Sequence, residues 1–170
     1  MATGAKQTAT ERTSPVRAKS ALTKLKEDHS TVRKMFDEYE ASKDKMTGKA
    51  KANLVATICG ELKVHTQVEE EIFYPALRAV QTKELEELLD EAEVEHGGAK
   101  DLVAQLEAAS PNEPLYDAKV TVLGEQVKHH AREEENEMFP EARKTDVDMN
   151  ALGAQLIARA EELKRQMGLS

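Results

Sequence analysis

The sequence predicts an all-α protein, an antiparallel up-down four-helix bundle with an additional C-terminal helix. Three observations carry this reading. Apolar residues recur every three or four positions from Ala21 onward, the period that lays one apolar stripe along a helix. Alternation at period two is nowhere sustained, so no strand is expected. Polar or proline-bearing breaks divide the chain into segments of helical length with short connections, the pattern of antiparallel neighbours. The 170 residues suffice for one domain with its own core, and the usage of Ala, Leu, Glu and Lys favours helix.

The first helix turns Leu22, Leu25, Val32, Phe36 and Tyr39 inward and ends in the polar turn at 43–48. The second carries Leu54, Ile58, Leu62, Ile72 and Ala76, and the third Leu85, Leu89, Ala92, Ala99, Val103 and Leu106. Pro111 and Pro114 then break the chain, because proline is tolerated in a first helical turn but not inside a helix. Tyr116, Val120, Leu123, Val127 and Met138 mark the fourth helix. Beyond a polar stretch, Met149, Leu152, Leu156, Ala160 and Leu163 predict a shorter fifth helix on the outside or end of the bundle. The expected division is a mobile tail over 1–17, the bundle over 18–146 and the last helix over 147–170.

Composition excludes several functions. A single cysteine, Cys59, allows no intrachain disulfide, no CxxC motif and no thiolate metal cluster, and it is expected to pack rather than react. The net charge of −8 argues against a nucleic-acid partner, which needs clustered Lys and Arg. No apolar run reaches the ~20 residues of a membrane span, and the N-terminus lacks the apolar core of a secretory signal. A cytoplasmic protein with no membrane partner is expected.

The chain also repeats itself. HTQVEEEIFYP at 65–75 matches HAREEENEMFP at 130–140, so that His65 and His130, Glu69 and Glu134, and Pro75 and Pro140 each lie 65 residues apart. An aromatic residue precedes both prolines. Upstream, Asp28-His29 and Glu95-His96 repeat at an offset of 67. Residues four apart on a helix share a face about 6 Å along its axis, so each HxxxE pair can reach one shared centre. His29, His65, Glu69, His96, His130 and Glu134 all continue the apolar seams and are therefore expected to face the core together. Two buried carboxylates beside four imidazoles require either a proton-sharing network or cations.

Other polar residues read differently. His129 is about 100° around the helix from His130, which places it in solvent or in an outer supporting position. Within the acidic runs 69–71 and 133–135 only Glu69 and Glu134 lie on the seam, and the rest are expected to be solvated. Pro75 and Pro140 are expected to kink their helices.

These motifs, DH or EH on one helix and HxxxEE with an aromatic-Pro pair on the next, given twice over about residues 20–143, resemble the hemerythrin-like family with its HHE cation-binding motif. The resemblance implies two Fe ions joined by a bridging oxo or hydroxo group. His29 and His65 would bind one iron, His96 and His130 the other, and Glu69 and Glu134 would bridge them. One position on each iron would remain for a small diatomic or peroxide ligand. Lys100 stands where oxygen-carrying members have a further histidine, and Arg33 holds the matching place in the first half. Two nearly equivalent irons are therefore implied, flanked by two cations whose ends are expected in solvent. The functions that follow are sensing or handling of oxygen, peroxide, nitric oxide or iron, or peroxide decomposition at the irons. No dedicated catalytic side chain is expected, and a purely structural bundle with a polar core is the contrasting reading.

Overall fold

The computed structural model describes residues 19–169, so the expected N-terminal tail lies outside them. Helix α1 spans Ala21–Ser42 and α2 spans Gly48–Val68. Through a π-helical turn, Glu69–Phe73, α2 continues into the short α3, Tyr74–Arg78. Helix α4 spans Lys83–Ala108, and α5, Tyr116–Glu133, passes through a second π turn, Glu134–Met138, into α6, Phe139–Arg143. The last helix, α7, spans Met149–Met167, and the described residues contain no strand.

Short polar side chains fix the helix starts. Ser20, Thr47 and Thr82 each accept a hydrogen bond from the backbone N–H three residues on, and Asp148 accepts from Asn150 and Ala151. Each such cap satisfies a donor that the helix itself cannot, a contribution of about 1 kcal/mol.

Around the bundle, α1 packs on α2 and α5, and α4 packs on the same two helices. The core is divided along this bundle. Leu22, Leu25, Val68, Leu89 and Met138 belong to one apolar cluster, while Val32, Phe36, Leu62, Val103 and Leu123 belong to another. In chain order α1 and α4 run from the first cluster to the second, and α2 and α5 run back, which is the up-down arrangement. Between the clusters lies the layer of buried histidines and glutamates.

Helix α7 fills the groove between α1 and α2, its Leu152, Leu156, Ala160 and Leu163 joining Val64 and Val68 in the first cluster. Its start crosses the chain just before α1 so closely that a Cβ on Gly153 would stand 2.0 Å from the Lys19 carbonyl oxygen. Only glycine fits there.

Candidate metal centre

Each long helix of the bundle delivers one histidine to the layer between the two apolar clusters. His29 comes from α1, His65 from α2, His96 from α4 and His130 from α5; Glu69 and Glu134 open the two π turns. All six side chains are buried, Glu69 and Glu134 at 0% and 1% exposure. The π turns coincide with the prolines. Tyr74 and Phe139, each just before a proline, donate their N–H to the carbonyl five residues back, on Glu69 and Glu134. The irregularity expected at each proline takes the form of a widened turn, which accommodates a residue that cannot donate and whose ring crowds the preceding turn.

Donor atoms converge on the layer from both halves of the repeat. His29 Nε2 lies 3.1 Å from Glu134 Oε2, and His65 Nε2 lies 3.2 Å from Glu69 Oε1. In the other half, His96 Nε2 is 3.3 Å from Glu69 Oε2 and 3.1 Å from His130 Nε2, which stands 3.6 Å from Glu134 Oε2. Glu69 therefore spans the two histidine pairs with its two oxygens. His29, His65, Glu69 and Glu134 offer ligand atoms all within 4.8 Å of one another, as do Glu69, His96 and His130.

Most of these contacts are close without being hydrogen bonds. His29 Nε2, both ring nitrogens of His65, both oxygens of Glu69 and Glu134 Oε2 are buried with no hydrogen-bond partner. Orphaned buried polar atoms cost about 1–3 kcal/mol each, and all of these but His65 Nδ1 face the layer, so five inward atoms need an occupant. Two donors set at right angles around one ion at about 2.1 Å stand about 3 Å apart, the spacing seen here. The residues fit a pair of cations.

The histidine rings are held from outside by four acids. His96 and His130 direct Nδ1 at Glu70 Oε1, 2.9 Å, and Glu95 Oε2, 2.7 Å, and His29 directs Nδ1 at Glu135 Oε1, 2.9 Å. Asp28 Oδ2 stands 3.5 Å from His65 Nδ1, close enough for attraction but not for a hydrogen bond. A carboxylate on the outer nitrogen fixes the tautomer that turns the Nε2 lone pair inward, the arrangement of metal-binding histidines.

One expectation from the sequence is corrected here and another is refined. Glu70 and Glu135 are not free in solvent; they are partly buried and engage the histidines of the opposite half. Lys100 is exposed and Arg33 half-exposed, as expected, but neither ends free. Lys100 Nζ donates to both oxygens of Glu70 at 2.6 Å, and Arg33 is bonded to Glu135. The four acids recur at the offsets of the ligand motifs, Asp28 with Glu95 and Glu70 with Glu135, and that repetition was the signal that could have found them. Each lies one residue from a seam position and so faces the groove beside the neighbouring helix.

The aromatic residue before each proline also has a place. Phe139 lies parallel to His29, and Tyr74 packs against His96 with ring centres 5.4 Å apart. Tyr74 alone carries a hydroxyl, which donates to Glu134 Oε1 at 2.8 Å and stands 3.2 Å from His96 Nε2. Glu134 is left with one unpartnered oxygen where Glu69 has two, so the halves are not equivalent as the ligand count alone implied.

With protons as the only cations, Glu134 holds its charge and the rings of His130 and His29 hold their protons more strongly. Burial alone would lower the His130 pKa, but the Glu134 charge, the Glu95 hydrogen bond and the Glu69 charge outweigh it and raise it to about 9. His29 is raised in the same way by Glu134, Glu69 and Glu135 against the effect of burial. Glu134, despite complete burial, is held below the carboxylate range by His130, His29 and His65. Beside the four rings is a small cavity of about 30 Å³, walled by Leu62, Ala99, Val127 and Ala131. A cavity of this size admits a water or diatomic molecule and no larger organic substrate.

Known proteins resemble this chain in sequence or in fold. A DNA nickase of Nostoc sp. is 30% identical over 120 residues, 70% of this chain but 32% of that protein. An uncharacterised protein of Mycobacterium tuberculosis is 29% identical over 107 residues, 61% of this chain and 63% of its own length. The chain thus spans about a third of the first relative and less than two thirds of the second. The crystal structure of a hemerythrin HHE cation-binding domain-containing protein from Mycobacterium kansasii superposes with a TM-score of 0.71 at 25% identity, covering 87% of this chain and 89% of that one. The family described as hemerythrin HHE cation binding domain matches residues 20–142, and with most of its length inside that match the chain belongs to this family.

Proposed function

We propose that this protein is a non-haem di-iron protein that handles or senses oxygen, peroxide, nitric oxide or iron. His29 and His65 would hold one iron, His96 and His130 the other, and Glu69 and Glu134 would bridge them together with an oxo or hydroxo group. The observation that carries this is the set of inward nitrogen and oxygen atoms buried without hydrogen-bond partners. Imidazole and carboxylate suit several first-row metals, and membership of the hemerythrin family favours iron among them. Bound iron would supply an exchangeable coordination position and a change of oxidation state.

The chain's own residues set the conditions for that chemistry. Glu70, Glu95 and Glu135 hold outer ring nitrogens and keep Nε2 facing inward. Tyr74 occupies one oxygen of Glu134. The small apolar cavity limits the ligand to a few atoms. Lys100 is tied to Glu70, so no fifth imidazole joins the set, which favours oxidation chemistry over reversible oxygen carriage. A net charge of −8 supports a small-molecule rather than a nucleic-acid partner.

Elemental analysis after iron-replete expression tests the reading. The expected content is about two iron atoms per chain, since four imidazoles and two bridging carboxylates provide two half-sites. One metal or none would sink the proposal. Mixing the reduced protein with oxygen should give irreversible oxidation, and fully reversible oxygen uptake would overturn the preference for redox handling.

A further inference from the structure

The four acids that hold the histidines differ in what holds them. Lys24 donates to both oxygens of Asp28, Lys100 to both oxygens of Glu70, and Arg33 to Glu135. Among the described residues Glu95 has no lysine or arginine partner. Its Oε1 faces His129 Nε2 at 3.5 Å, and the same nitrogen lies 3.1 Å from Glu133 Oε1.

The repeat shows how the two sides diverged. His129 and Glu133 occupy the positions of Val64 and Val68 in the first half, and Glu91 occupies that of Lys24. On the first side the valines are buried under α7 and the lysine neutralises Asp28. On the second side, His129 is 58% exposed, Glu133 34% and Glu95 29%, and all three line one open depression with Glu91. A helix-surface ion pair would account for His129 with Glu133 four residues on. It does not account for a carboxylate from a second helix aimed at the same nitrogen.

We propose that Glu95, His129 and Glu133 form an outer site for a divalent first-row metal ion, and that this site supplies the buried centre. One imidazole and two carboxylates suit such an ion, and three donors open to water give weak, exchangeable binding. Glu95 is shared between the two sites, Oε1 facing out and Oε2 bonded to His130 Nδ1 at 2.7 Å. Glu95 and Gln126 line both the inner cavity and a surface depression that includes His129, so these two side chains form the wall an ion would cross. The supply role rests on the di-iron reading above; binding at the outer site does not.

Manganese(II) titration of the iron-loaded full chain, following the EPR signal of the free ion, tests the site. Roughly one Mn²⁺ per chain should bind to the unmodified protein and be lost from the double variant His129→Ala, Glu133→Gln. No binding, or equal binding by both proteins, would overturn the site. Ferrous iron is then added to metal-free chains and the iron retained is measured against time. Loading of the variant should be slower by about tenfold with the same final iron content. Equal loading rates would overturn the supply role. If the buried cluster holds no metal, titration of the metal-free chain still decides the outer site: a His129-dependent ion supports it and its absence overturns it.

Discussion

At the scale of single residues, the centre depends on acids one position away from the seam as well as on the seam itself. Glu69 points both oxygens, and Glu134 one, inward without hydrogen-bond partners, so alanine at either should abolish metal retention. Glu70 and Glu135 only orient imidazoles, and for them Ala is expected to weaken metal affinity by about 10–100-fold. Metal retained against graded chelator measures both effects. Retention by Glu70→Ala equal to that of the unmodified protein would show that the outer acid is dispensable. Periodicity alone separated Glu69 from Glu70 but assigned the latter to solvent, because a period of 3.6 marks the core face and carries no information about a neighbouring helix.

At the scale of elements, the prolines and one glycine set the shape. Pro75 and Pro140 announced an irregularity, and it takes the form of a π turn that opens at each inward glutamate. Gly153 carried no such signal. It lets α7 cross the backbone at Lys19–Ala21, a contact between segments far apart in sequence. Gly153→Ala must push α7 away from the start of α1 or bend one of them, an overpacking cost of about 1–3 kcal/mol. Thermal unfolding should show a midpoint lowered by several degrees, with the proposed metal ligands untouched. An unchanged midpoint would mean that the crossing relaxes without cost.

For the whole molecule, a layer of buried histidines and glutamates lies between two apolar clusters, and its protonation couples to stability. The His130 pKa is raised in the folded chain to about 9 from an ordinary 6.5. Its stabilising contribution is therefore complete below about pH 6.5 and disappears as pH rises through about 9, a loss of roughly 3 kcal/mol. His29, raised in the same direction, acts with the same sign. Metal binding requires neutral imidazoles and so is favoured by the same rise in pH. The gap between the melting midpoints of metal-loaded and metal-free protein should widen from about pH 6.5 to 9. Calorimetry across that range checks this, and a metal-free midpoint that climbs with pH would contradict the assigned charges.

The helices, their antiparallel order and the six inward polar residues were legible in the sequence, because a helix repeats its faces at a fixed period and the ligand motif is given twice. What the period cannot carry is the meeting of different helices. The crosswise grip of Glu70 on His96 and Glu135 on His29 is such a meeting, as are the attachment of Lys100 and Arg33 to those acids and the Tyr74 hydroxyl on Glu134. The groove chosen by α7 belongs with them, for burying Val64 and Val68 on one side leaves His129 and Glu133 open on the other. Local sequence determined which side chains face inward; tertiary packing decided which of them are held, by what, and from which helix, since those distances exist only once the bundle has closed.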